Sequence, residues 1–155
     1  MKCFFNMVIR LMAVLAAVMA VSCAKENPAT DYLEVNASNL NGNWKLTSID
    51  GAPINDGTYF YINFESSGHE YKLWENLTSI PESYNFDKGT FRIDVDEEEG
   101  AYIRGINEVL EDWEHLYLIV DLTENSMTWI ALDDKTIVHK LVRIEDIPID
   151  EDKIQ

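Results

Sequence analysis

Thr58-Tyr-Phe-Tyr-Ile-Asn-Phe-Glu65 carries Phe60, Ile62 and Phe64 at every second position, with Tyr59 and Tyr61 between them. Successive side chains of a β-strand point to opposite faces, so this period predicts a strand with one face turned toward a core. The same alternation recurs along the chain, at Phe91/Ile93/Val95, at Leu116/Leu118/Val120/Leu122, and at Val138/Lys140/Val142 against Ile137/His139/Leu141.

Turn-forming pairs such as Asp50-Gly51, Lys88-Gly89 and Glu99-Gly100 separate these stretches. They predict eight short strands, near 43–49, 58–65, 69–77, 89–95, 101–107, 115–122, 126–132 and 135–144. Short strands with hairpin-length connections favour an antiparallel meander, which hides its edges by closing. We therefore expect an all-β fold, an antiparallel up-and-down eight-stranded β-barrel.

Two segments interrupt the pattern. Thr78–Lys88 is predicted to be a longer loop, and Asn107–Glu114 either a bulged strand or a single helical turn.

The N-terminus has the organisation of an export signal. Lys2 and Arg10 lie in a first stretch without acidic residues, and the apolar run Leu11–Val21 follows. That run is too short to cross a bilayer as a stable helix, which takes about 20 apolar residues. It ends in Met19-Ala-Val-Ser-Cys23, which resembles the lipobox of bacterial lipoproteins, with Ala20 where Leu is usual. We expect cleavage after residue 22 and lipid attachment at Cys23.

Charge and cysteine content constrain the processed chain. Removal of residues 1–22 leaves 10 basic and 28 acidic residues, a formal charge near −18, which disfavours binding to nucleic acid or to anionic membranes. Cys3 leaves with the signal, so Cys23 would be the only remaining cysteine and no intrachain disulfide could form. We predict a lipidated cysteine and flexible tether over 23–38, in which Tyr32, Leu33 and Val35 could dock, and one barrel domain over 39–155.

The start of the predicted domain, Leu40-Asn-Gly-Asn-Trp-Lys-Leu46, resembles the G-x-W opening of lipocalin-type barrels, with Gly42 and Trp44 in the motif positions. With the signal and lipobox, it is similar to small bacterial lipocalin-like lipoproteins. The resemblance implies an envelope location at the outer membrane and an apolar ligand inside the barrel. It also implies that Trp44 plugs one end of the barrel and that Arg143 packs over it, a structural contact.

If the Phe60 face lines the interior, six aromatic residues are expected to reach a cavity: Phe60, Phe64, Tyr71, Phe91, Tyr102 and Trp129. This leads to a non-enzymatic, membrane-anchored barrel that binds a small apolar or amphipathic ligand. The alternative is a packed barrel whose exposed Tyr59, Tyr61 and Trp113, with the acidic loops, contact a protein or glycan at the cell surface.

Other chemistries find little support in the residue spacing. The acidic run Asp94–Gly100 lacks the glycine and glutamate positions of an EF-hand loop, so we interpret it as a solvated hairpin tip. His69, His115 and His139 share no metal-ligand spacing, and no G-x-S-x-G nucleophile motif occurs. We therefore expect no catalytic residues, no metal and no cofactor.

Overall fold

The fold is a closed antiparallel β-barrel. It is described here from a computed structural model, for residues 30–77 and 85–149. These contain a short helix, α1 (Ala37–Leu40), and nine strands: β1 (Gly42–Ile49), β2 (Ala52–Pro53), β3 (Tyr59–Glu65), β4 (Glu70–Asn76), β5 (Asn85–Asp96), β6 (Gly100–Asn107), β7 (Tyr117–Val120), β8 (Ser126–Ala131) and β9 (Val138–Ile144). No helix in this part of the chain has the length and apolar character needed to cross a membrane.

Eight of the strands form the barrel, because β1 pairs with β3 on one side and with β9 on the other. Trp44 lies opposite Ile62 of β3 and opposite Arg143 of β9. The two-residue strand β2 pairs only with the end of β1. Closure removes the free sheet edges that an open meander would expose. The prediction of an eight-stranded antiparallel barrel is confirmed.

The core is formed by alternate side chains of the eight barrel strands, which point into the barrel. On β3 these are Phe60, Ile62 and Phe64, the positions that the sequence alternation picked out. The other strands supply fully buried partners, among them Leu46, Phe91, Ile103, Met127, Trp129 and Leu141. Each of the eight barrel strands therefore contributes to one shared interior.

The segment before β1 packs against the barrel. Leu33 and Val35 pack against the core, and the Leu33 amide donates a hydrogen bond to the Leu122 carbonyl at 2.8 Å. The Asn36 side chain caps α1 by accepting a hydrogen bond from the Asn39 amide. Tyr32, by contrast, is exposed. The core and the strands all lie within the compact unit Tyr32–Gln155, which thus contains the contacts that hold the barrel together.

Two predicted irregular segments differ from the structure. The loop prediction for Thr78–Lys88 is wrong at its end, because β5 begins at Asn85 and its first residues pair with β4, from Glu75 to Lys72. Residues 78–84 lie outside the described part. Asn107–Glu114 is not a helical turn: after a tight turn the chain returns along β6, where Asp112 forms an antiparallel bridge with Ile106. The Asn107 side chain accepts hydrogen bonds from the amides of Val109 and Glu111, which fixes a tight turn.

Candidate functional site

One end of the barrel is closed around Trp44. Its side chain is fully buried, and its indole N–H donates a hydrogen bond to the Leu40 carbonyl at 2.8 Å. The Arg143 guanidinium lies 4.2 Å from the ring centroid, the cation–π arrangement that the family resemblance implies. Arg143 also donates hydrogen bonds to the carbonyls of Asn39, Asn41 and Glu124. This end is a structural plug made of α1, β1 and β9.

The opposite end of the barrel opens into a cavity of about 590 Å³. On β3 the lining residue is Phe60 and on β9 it is His139, and both lie away from the Trp44 pairing positions, Ile62 and Arg143. The volume falls within the roughly 300–1,000 Å³ usual for small-molecule sites. The barrel interior is therefore packed at one end and open at the other.

Aromatic rings form the inner wall of the cavity. The Trp129 ring is the centre of the group, with its centroid 5.1 Å from that of Tyr117, 5.8 Å from Trp113 and 6.4 Å from Phe60. Trp113 also meets Tyr71 edge to face at 5.0 Å. Such packed rings hold one another in place and present rigid faces to a bound molecule.

The mouth of the cavity is acidic. Its walls include five carboxylates, of which the first two are half-buried and the other three exposed: Glu75, Asp87, Glu111, Asp112 and Glu114. The Tyr71 hydroxyl donates a hydrogen bond to Asp87 at 2.6 Å, and the Asn85 amide donates one to Glu75 at 3.2 Å. The deeper carboxylates are thus oriented by neighbouring side chains.

The six predicted cavity residues fall in different places. All four of Phe60, Phe64, Phe91 and Trp129 belong to the buried core. Phe60 and Trp129 lie where that core borders the cavity, whereas Phe64 and Phe91, 5.0 Å apart, do not line it. The ring of Tyr71 is buried, and its hydroxyl reaches a cavity carboxylate. Tyr102 is misplaced by the prediction, because Ile103 points into the core opposite Ile93 and its neighbour must face outward. Cys23, the predicted lipid-attachment residue, lies outside the described residues.

The predicted interaction surface is also incorrect in two of its three aromatic residues. Tyr61 is only 8% exposed on the outer face of β3, where it stacks on half-buried Tyr59 at 5.6 Å. Trp113 packs inside the barrel mouth instead of facing solvent. The alternation of residues along strands could not predict the position of Trp113, because Trp113 follows a turn and lies outside the named strands. The sequence did not predict that Tyr117 points inward, because the alternation of Leu116 and Leu118 indicated that the opposite face of this strand was the buried one.

His139 lies in the cavity wall, with its ring 5.4 Å from that of Tyr117. Burial lowers its pKa below the usual 6.5, the nearby His115 lowers it further, and the Asp50 carboxylate opposes both. Burial and the neighbouring Glu114, Asp133 and Glu75 raise the pKa of Tyr117 to about 12. At neutral pH both rings are therefore uncharged.

The lowered pKa of His139 predicts that the barrel loses stability on acidification. The unfolded chain takes up this proton near pH 6.5 and the folded chain only at lower pH, so stability falls as pH drops through that window. Chemical denaturation between about pH 7.5 and 5.5 should show a shallower loss for His139→Gln than for the unmodified protein. His69→Gln, which removes an exposed histidine, should retain the full loss. Equal slopes for His139→Gln and the unmodified protein would contradict this assignment.

The acidic run and the other two histidines take part in ordinary structural contacts. Asp96 accepts hydrogen bonds from the amides of Glu98 and Glu99, both at 2.8 Å, and these lower its pKa while closing the β5–β6 hairpin. His115 contacts Asp133 at 2.9 Å, and His69 lies against Phe91. Within residues 30–77 and 85–149, no three His, Cys, Asp or Glu side chains are placed to hold a metal ion.

The fold and the cavity define an eight-stranded antiparallel barrel with one plugged and one open end, compatible with a lipocalin-like fold. No protein-family model matches the sequence, and no curated protein matches it either.

Proposed function

We propose that this chain is a non-enzymatic lipoprotein of the bacterial cell envelope whose barrel binds a small amphipathic molecule. The observation that carries the binding proposal is the aromatic-walled cavity of about 590 Å³ at the open end. Apolar ring faces supply affinity in such sites, and a few polar groups orient the ligand. Here the half-buried rings of Trp113 and Tyr117, backed by the buried rings of Phe60 and Trp129, supply the apolar surface. The carboxylates at the mouth supply the polar groups.

The binding proposal is tested with an apolar probe. Residues 24–155, which include the whole compact unit and no cysteine, are titrated with 1-naphthylmethanol while tryptophan fluorescence is followed. We expect saturable quenching, because Trp113 and Trp129 lie in the cavity wall. Phe60→Glu should abolish it. Val95→Glu, which adds the same charge at a side chain that is 75% exposed outside the cavity, should not. Quenching that never saturates would refute binding.

The membrane anchor is tested separately at Cys23. The processed chain has a formal charge near −18, so an anionic bilayer repels its surface and attachment falls to the lipid. Several acyl chains, at about 0.8 kcal/mol per buried methylene, hold a protein durably. In the full-length chain, Cys23→Ser should abolish palmitate incorporation and lipoprotein-type processing, while Cys3→Ser should leave both intact. Palmitate incorporation into the Cys23→Ser chain would overturn the lipoprotein assignment.

A further inference from the structure

All ionised side chains among the described residues that line the cavity are acidic. Five carboxylates contribute to its walls, and none of the described lining residues is lysine or arginine. Its one basic side chain, His139, is kept neutral at pH 7 by its lowered pKa. A bound anion would be repelled by every ionised group around it, whereas a cation would be attracted by all of them.

The aromatic wall of the cavity also favours a positively charged ligand, independently of the carboxylates. The half-buried rings of Trp113 and Tyr117 border one space, with the buried rings of Phe60 and Trp129 behind them. Ring faces attract ammonium and guanidinium groups through the π-quadrupole. The attraction strengthens where the cation loses water, as it does in a walled cavity. Such rings also accept the apolar body of the same molecule.

Asp87 provides the best-positioned single anchor. Its carboxylate is half-buried and accepts a hydrogen bond from the Tyr71 hydroxyl at 2.6 Å. Burial, reinforced by this hydrogen bond, raises the pKa of Tyr71, so the hydroxyl remains a donor at physiological pH. Asp87 and Glu75, which lies on the neighbouring strand β4, belong to the same wall of the cavity.

We propose that the cavity selects small cationic amphiphiles, molecules with an ammonium or similar group on an aromatic or apolar body. This inference rests on the proposed ligand-binding function and narrows the ligand class. The cation would sit among Asp87, Glu75 and the ring faces, and the apolar body would lie against the half-buried rings of Trp113 and Tyr117. A ligand of this kind matches both the acidic and the aromatic part of the cavity, whereas a neutral lipid would desolvate the inner carboxylates without supplying a positive charge.

The test compares three probes that share one apolar body and differ in charge. Equilibrium dialysis of residues 24–155 against 1-naphthylmethylammonium, 1-naphthylmethanol and 1-naphthylacetate measures each dissociation constant. We expect the ammonium probe to bind about tenfold or more tightly than the alcohol, the acetate to bind most weakly, and the preference to shrink as salt is raised.

Isosteric variants locate the preference. Asp87→Asn keeps an oxygen that can accept the Tyr71 hydrogen bond. Combined with Glu75→Gln in a double variant, it should reduce the preference for the ammonium probe over the alcohol severalfold. Asp56→Asn makes the same change in charge at an exposed position outside the cavity and should leave the preference intact. Equal binding of all three probes would overturn the cationic inference and leave the binding function standing. Absence of binding by every probe would refute both.

Discussion

Trp44→Ala is expected to lower the free energy of unfolding by about 3–5 kcal/mol, the cost usual for emptying a fully buried aromatic site. Three losses coincide at this residue. The buried ring leaves a void, the Leu40 carbonyl loses its 2.8 Å hydrogen bond, and Arg143 loses the ring face beneath its guanidinium. Because Arg143 joins α1 to the turn at Glu124, the whole plugged end should loosen.

The loss is measured by urea denaturation of residues 24–155, with Tyr32→Ala as the control. Tyr32 is 62% exposed, so its removal should change stability by less than about 0.5 kcal/mol. Trp44→Phe separates the contributions, since it keeps an aromatic face for Arg143 and removes the hydrogen bond to Leu40; we expect an intermediate loss. An unfolding midpoint for Trp44→Ala close to that of the unmodified protein would show that the plug is dispensable.

The sequence predicted the barrel well because its alternation is a property of single strands. Phe60, Ile62 and Phe64 indicate one buried face without knowledge of any partner strand, and the turn pairs delimit the strands. Asp50 and Gly51 both adopt positive φ at such a turn, as their residue types favour. The strand start at Asn85 was missed because its pairing with β4, and not its own composition, makes that segment extended.

The candidate site was only partly predictable, because a cavity depends on several strands at once. Phe60 and Trp129 could be assigned from alternation, but Tyr102 could not, since the pairing of Ile93 with Ile103 decides which face of β6 is inward. Glu75 and Asp87 occupy inward positions on their strands, although an interpretation based on hydrophobic alternation would place charged side chains toward solvent. That these charged residues lie on the inner face of their strands becomes clear only from the closed barrel. They are also the residues from which we infer a cationic ligand.

Gly105→Ala is expected to destabilise the barrel by about 1–3 kcal/mol and to remove ligand binding, through overpacking against one side chain. A Cβ at this position would overlap the Trp113 indole, and the nearest atoms it would meet all belong to that indole. Trp113 would have to leave its place beside Tyr71 and Trp129, so the cavity would lose part of its wall.

A double-mutant cycle tests this mechanism. If Trp113 is the obstacle, Gly105→Ala should cost little in a Trp113→Ala background, although it is costly in the unmodified protein. Gly68→Ala is the control, since its Cβ would meet only the flexible Glu70 side chain at 3.1 Å and the change should be mild. Additive effects of Gly105→Ala and Trp113→Ala would mean that the glycine is required by the backbone of β6. A coupling energy above about 1 kcal/mol would identify Gly105 as the residue that lets Trp113 form the wall of the cavity.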